Sequence, residues 1–153
     1  MLTDHEKRKI REVIANSDGK REAALDALRV VQEHRGWISD ELKAVADMLE
    51  MTPVELDSIA TFYDRIYRRP VGKHVIKICD SASCWVVGAV NLIDHILSSL
   101  GVELAETTED GQFTVLLTAC LGACDLAPAM LVDDELYGNL TESKIDEILK
   151  SYR

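Results

Sequence analysis

The chain has 153 residues, of which 47% are apolar and 29% charged, a globular balance without the signature of disorder. Its formal net charge of −10 argues against nucleic acid as a partner, because phosphate binding needs a basic face. No apolar run approaches the ~20 residues that span a bilayer, and no apolar signal segment opens the sequence. We therefore expect a soluble, intracellular protein without direct membrane insertion.

The first part of the chain predicts four helices joined by short loops. Thr3 followed by Glu6 is a capping-box start, and Thr52 begins the same signal for the fourth helix. Two further helices are expected between these, the second of them capped by Ser39. The pattern predicts a four-helix N-terminal lobe over residues 1–72.

The predicted boundary between the two domains is Arg68-Arg69-Pro70-Val71-Gly72, where proline and glycine interrupt regular structure. After it, the spacing of the apolar residues changes from a helical pattern to one typical of strands. The second domain is expected over residues 73–153. Its order of elements predicts helices packed against a mixed sheet, which makes the whole chain α+β. The predicted strands are His74–Ile78, a weak one at 102–104, Phe113–Leu117 and Met130–Val132, and the helices are Gly88–Leu100 and one from Thr141.

All four cysteines fall into two short loops, and each loop follows a strong strand. The spacing is C-x4-C, a gap of 35 residues, then C-x3-C. If the two strands are neighbours in the sheet, both loops open at the same edge and the four sulfurs can converge. The candidate metal-binding and cofactor-binding residues are Cys79, Cys84, Cys120 and Cys124.

In a reducing compartment such cysteines indicate metal ligands or redox thiols rather than structural disulfides. Polar residues between the first two sulfurs argue against buried, inert thiols, and neither pair has the C-x-x-C spacing of a thioredoxin dithiol. Structural zinc remains an alternative, although a doubled C-x2-C is absent. A Rieske centre needs two histidine ligands, whereas His5, His34, His74 and His95 lie outside both loops. A 2Fe-2S cluster held by four cysteines is the best chemical fit.

The residues themselves then show a likeness. Cys79-x4-Cys84, followed by Cys120-Leu121-Gly122-Ala123-Cys124-Asp125-Leu126-Ala127-Pro128, resembles the signature of the thioredoxin-like 2Fe-2S ferredoxin family. The likeness extends over nearly the whole chain. It includes the segments Gln32–Trp37, Ala60–Tyr63 and Pro70–Ile76.

The resemblance implies a thioredoxin-like C-terminal domain with one 2Fe-2S cluster, in which Cys79 and Cys84 bind one iron and Cys120 and Cys124 the other. It implies an electron-transfer subunit of NADH-quinone oxidoreductase (respiratory complex I), without a substrate site of its own. The implied partner is the FMN- and NADH-binding subunit, so that FMN and NAD belong to the partner only. The implied location is cytoplasmic, peripheral to the inner membrane through the complex.

The chain departs from better-known members of that family in Ser81-Ala82-Ser83 and Trp85-Val86-Val87, positions that could tune the reduction potential. One alternative keeps the chemistry and changes the complex, to an NAD-dependent formate dehydrogenase or an NAD-reducing hydrogenase. An alternative of another class is a structural zinc module for protein binding. Self-association of the isolated chain stays open.

Overall fold

The computed structural model describes residues 1–153, and its first structural unit, Met1–Pro70, contains only helices. The second unit is Val71–Arg153. The four helices of the first unit are α1 (Asp4–Ala15), α2 (Ala24–Arg35), α3 (Glu41–Leu49) and α4 (Pro53–Phe62).

Local signals in the sequence set most ends of these helices. Capping boxes at Thr3 and Thr52 start α1 and α4, and Gly36 ends α2 in the left-handed conformation, at φ 84°. The predicted cap of α3 is wrong by one residue, because Asp40 rather than Ser39 precedes the helix. The apolar faces form one core that includes Ile10, Ala27, Leu28, Val31, Ile38, Val45, Leu49 and Leu56.

One carboxylate is buried in this helical unit. Glu6 is fully buried and accepts hydrogen bonds from Arg35 at 2.6 and 2.8 Å, while its Oε2 also accepts from the Thr3 amide at 2.7 Å. His34 Nδ1 lies 2.8 Å from Glu6 Oε1. The hydrogen bonds from Arg35 hold the pKa of Glu6 well below its usual range, although burial opposes that shift. The pair links α1 to the end of α2.

The second unit is a mixed sheet with helices, as predicted. Its sheet has the strand order β2-β1-β3-β4, in which β1 and β2 are parallel and the other neighbours are antiparallel. No helix in the protein combines the length and the apolar character needed to cross a bilayer. The elements are β1 (His74–Cys79), α5 (Ala82–Val86), α6 (Ala89–Leu100), β2 (Phe113–Thr118), β3 (Met130–Val132), β4 (Glu135–Tyr137) and α7 (Glu142–Ser151).

One local prediction for this unit is wrong, and two short elements were not predicted. The weak strand expected at 102–104 is wrong: this segment is a turn, closed by a hydrogen bond from Glu106 N–H to the Glu103 carbonyl at 3.1 Å. The short strand β4 and the single-turn helix α5 were not predicted. The core that joins the sheet to α6 and α7 includes Ile76, Ile78, Ile96, Phe113, Val115, Met130 and Ile145.

Candidate metal centre

Two parallel strands bring the cysteine loops to one edge of the sheet. Cys79 is the last residue of β1 and pairs with Thr118, the last residue of β2. Beyond them, Asp80 N–H donates to the Thr118 carbonyl at 2.9 Å, so the two chain segments leave the sheet side by side. The expectation that these strands are neighbours is therefore confirmed, and both loops open at the same edge.

The first cysteine pair is buried. Cys79 is 3% exposed and Cys84, which lies in the short helix α5, is 1% exposed. The Cys84 thiol donates a hydrogen bond to the Cys79 sulfur. Ala89, with Leu121 and Ala127, packs against both cysteines, so that apolar side chains surround this pair.

The second cysteine pair is exposed. Cys120 lies in the loop after β2, and Cys124 begins a single 3-10 turn that ends at Leu126. Gly122 adopts φ +73°, a conformation that favours glycine, and its N–H donates to Cys120 Sγ at 3.3 Å. The glycine thus lets the chain fold back onto the sulfur.

Hydrogen bonds to sulfur distinguish the two buried thiols. Burial raises the pKa of the Cys79 thiol, but hydrogen bonds from the Ser81 hydroxyl, the Ser81 N–H and the Leu121 N–H outweigh that effect and lower the pKa to about 7. Burial raises the pKa of the Cys84 thiol, and its hydrogen bond to Cys79 raises it further. The Ala129 N–H donates to Cys84 and acts in the opposite direction. Cys79 is therefore the more readily ionised of the two.

The two loops also interact with each other. The Leu121 N–H, from the second loop, donates to the Cys79 sulfur of the first, and electrostatic repulsion from the Cys124 position helps to raise the pKa of Cys84. No group of three or more His, Cys, Asp or Glu side chains lies close enough together to hold a single metal ion.

Three of the histidines pair with carboxylates away from the cysteine loops. The pairs are His34 with Glu6, His74 with Asp133 and His95 with Asp146.

An exposed apolar surface adjoins the buried thiols. Trp85, Val86 and Val87 directly follow Cys84, and they are 61%, 77% and 53% exposed. Large apolar patches on a protein surface commonly mark sites of association. In the sequence these residues are a departure from the family pattern, and their exposure depends on the helix α5, which was not predicted.

The donor set fits an iron–sulfur cluster. All four cysteines are free thiols. Four main-chain N–H groups donate to their sulfurs, and the Ser81 hydroxyl lies 3.5 Å from Cys79 Sγ, which is the arrangement that offsets the negative charge of metal-bound thiolates. Four thiolates are the ligand set of a [2Fe–2S] cluster.

Comparison with known proteins places the chain among iron–sulfur proteins. The family model described as thioredoxin-like [2Fe-2S] ferredoxin matches residues 10–153. The E subunit of the NADH-quinone oxidoreductase of Pseudomonas aeruginosa is 36% identical over 153 residues, which cover 99% of this chain and 92% of that protein. The corresponding protein of Salmonella typhimurium, which has the same name, is 40% identical over 134 residues, covering 87% of this chain and 81% of that protein.

Solved structures share the fold at lower identity. A chain of an NAD+-reducing [NiFe]-hydrogenase in the air-oxidized state aligns with 98% of this chain at a TM-score of 0.67 and 21% identity. An NAD+-reducing [NiFe]-hydrogenase in the H2-reduced state gives a TM-score of 0.70 at 24% identity over 84% of this chain. The alignments span 24% and 22% of those chains, so the likeness concerns one part of a larger protein.

Proposed function

Because the chain belongs to the thioredoxin-like [2Fe-2S] ferredoxin family, we propose that it is the electron-transfer subunit of an NADH-quinone oxidoreductase. The observation that carries the proposal is the pair of cysteine loops at one sheet edge, in a chain that is 36% identical, over 99% of its length, to one subunit of such an enzyme. The chain holds one [2Fe-2S] cluster and has no substrate site of its own.

The cluster ligands in this proposal are the four cysteines. Cys79 and Cys84 bind one iron, and Cys120 and Cys124 bind the other. The hydrogen bond between the first two sulfurs supports their assignment to one iron, and the common edge of the sheet supports the approach of the second pair. Residues 73–153 form the cluster-binding domain, and residues 1–72 form the helical lobe.

When bound, such a cluster accepts one electron and returns it. The protein supplies the environment for that exchange. Burial of Cys79 and Cys84 keeps water away from two of the four sulfurs, and the N–H groups of Leu121 and Ala129 donate to them. Hydrogen bonds and burial of this kind set the reduction potential of iron–sulfur proteins.

The proposed partner is the subunit that binds FMN and NADH. The matched relatives carry the name of one subunit of a larger enzyme, which supports a partner chain. Trp85, Val86 and Val87 supply an exposed apolar surface beside the cluster ligands, where a flavin-bearing partner must come close to exchange electrons. The chain then lies on the cytoplasmic side, peripheral to the inner membrane through the complex.

The cofactor assignment is tested on the purified full-length chain. We expect about two irons and two acid-labile sulfides per chain and a visible spectrum typical of [2Fe-2S]. Cys124→Ala should abolish that spectrum, whereas Ser83→Ala, in α5 beside Cys84, should retain it. A normal cluster in Cys124→Ala, or a colourless protein that contains zinc, would contradict the proposal.

The partner assignment is tested by purifying the tagged chain from its native cells. We expect the FMN-binding subunit to co-purify with wild type and to be lost from Trp85→Glu, while the cluster spectrum persists. Leu104→Glu is the matched control, because Leu104 is an exposed apolar residue in a turn away from the cysteine loops, 43% exposed. Co-purification of a formate dehydrogenase or a hydrogenase instead would support the alternative complexes.

A further inference from the structure

Ser81 occupies a helix N-cap position without capping the helix. It precedes α5 in the extended conformation typical of an N-cap, yet its side chain makes no cap hydrogen bond. The threonines before the longer helices α1, α4 and α7 behave in the ordinary way. Thr3, Thr52 and Thr141 each accept a hydrogen bond from the amide three residues on, at 3.2, 3.2 and 3.3 Å. The Ser81 hydroxyl is therefore committed elsewhere.

The Ser81 hydroxyl contacts the sulfur of Cys79. Ser81 Oγ lies 3.5 Å from Cys79 Sγ, and Cys79 is 3% exposed. In the free thiol the sulfur can donate to the hydroxyl. A metal-bound thiolate has no proton, so in that state the hydroxyl must donate to the sulfur. The contact then becomes a charge-assisted hydrogen bond in a site with little water.

We propose that Ser81 is a positioning residue that raises the reduction potential of the cluster by donating this hydrogen bond to the Cys79 thiolate. The inference rests on the proposed function, because it needs the cluster. Reduction adds one electron from a low-potential donor and moves no proton, so the negative charge on the cluster and its thiolates increases by one. A donor that faces a sulfur stabilises the more negative state more strongly.

Three features of the site allow the effect of the Ser81 hydroxyl on the reduction potential to be measured separately from the effects of the other donors. The Leu121 and Ser81 N–H groups also donate to Cys79, but they belong to the main chain and persist in every variant. Loss of the hydroxyl removes no helix cap, because the side chain does not cap α5. Ser83 offers a matched control, since it is an exposed serine in α5, two residues from Ser81, whose side chain makes no hydrogen bond.

The test is a reductive titration with dithionite of the full-length protein, followed by visible absorption and by electron paramagnetic resonance. Ser81→Ala should make reduction less favourable by roughly tenfold, which is about 59 mV for a one-electron couple. Ser83→Ala should leave the midpoint unchanged. Ser81→Thr keeps the hydroxyl and should restore most of the potential, whereas Ser81→Val, of the same shape, should behave like Ser81→Ala.

The outcomes separate this inference from the proposed function. A wild-type protein without a [2Fe-2S] spectrum overturns both. A loaded cluster whose midpoint is the same in wild type and Ser81→Ala overturns the role of Ser81 alone, as does an equal shift in Ser83→Ala. If Ser81→Ala assembles no cluster, the comparison between Ser81→Thr and Ser81→Val decides, and equal midpoints in that pair refute the inference.

Discussion

The buried Glu6–Arg35 pair predicts a large and specific loss of stability when the carboxylate is removed. Glu6 is fully buried and accepts two hydrogen bonds from Arg35, at 2.6 and 2.8 Å. The variant Glu6→Gln keeps the shape of the side chain and removes its charge. It leaves the Arg35 guanidinium, which is 25% exposed, without its principal counterion.

The expected magnitude follows from the burial of both groups. Removal of one partner of a buried ion pair typically costs about 3–5 kcal/mol. Arg35 is partly exposed and keeps a second carboxylate, Glu41, at 2.5 Å, so we expect the lower end, about 3 kcal/mol of unfolding free energy. The capping bond from Thr3 N–H to the side chain can survive in Glu6→Gln, because an amide oxygen also accepts.

Urea unfolding followed by tryptophan fluorescence measures this loss. The protein has two tryptophans, Trp37 in the helical unit and Trp85 in the other, so a Trp85→Phe background leaves Trp37 as the reporter of the helical unit. Glu33→Gln is the matched control, because Glu33 is an exposed carboxylate on α2. Exposed changes of this kind usually stay within about 0.5 kcal/mol.

The same pair predicts the direction of the pH dependence. The pKa of Glu6 is lowered in the folded protein by the hydrogen bonds from Arg35. A lowered folded pKa stabilises the protein above the unfolded pKa of about 4.3, and that stability is lost as the pH falls through the folded pKa. We expect the helical unit to lose stability from about pH 5 downward, and Glu6→Gln to lack this component.

Two results would refute the reasoning. One is a Glu6→Gln variant whose unfolding free energy lies within about 0.5 kcal/mol of the parent, the scatter expected for surface changes. The other is an equal loss in Glu33→Gln, which would show that any reduction of charge on these helices has the same effect.

Phe113→Ala should cost about 3–5 kcal/mol, because this ring is 1% exposed in the core of the second unit; a urea-measured loss below about 1.5 kcal/mol would contradict that packing. Gly72→Ala would bring a Cβ within 3.0 Å of main-chain atoms of residues 111–113, so we expect a lower thermal midpoint, and an unchanged midpoint would contradict this close approach. The Cβ of Gly122→Ala meets no atom within 4 Å, but the alanine must adopt φ +73°, which costs about 1–2 kcal/mol of conformational strain. We therefore expect the loaded variant to lose iron to a chelator faster than wild type, without unfolding. An unchanged rate of iron loss would be evidence against this loop geometry.

Local signals explain which parts of the fold the sequence predicts well. The capping boxes at Thr3 and Thr52 and the left-handed Gly36 depend on a few neighbouring residues, and the structure has all three. The strands β1 and β2 are six residues long and strongly apolar, so their type and neighbourhood could be predicted. The strand β4 has three residues, two of them exposed, and exists because it pairs with β3.

Long-range contacts explain what the sequence does not reveal. The sequence predicts correctly that Glu6 caps a helix. It does not reveal that Glu6 also forms a buried ion pair, because the partner, Arg35, is 29 positions away. Ser81 reads as a turn residue or a cap, whereas its hydroxyl faces a sulfur. The spacing of the cysteines indicates the candidate site, but it does not reveal that Cys79 and Cys84 are buried while Cys120 and Cys124 are exposed.

Because two of the four thiols are exposed and two are buried, the site has a solvent-exposed side and a buried side. A chelator, an oxidant or a donor of iron arriving from solvent meets Cys120 and Cys124, while Cys79 and Cys84 are sheltered. Loading and dismantling of the cofactor would therefore both begin at the 120–124 loop. A partner that covers this loop would shield the cofactor from damage, and the newly made, unassembled chain is the vulnerable form.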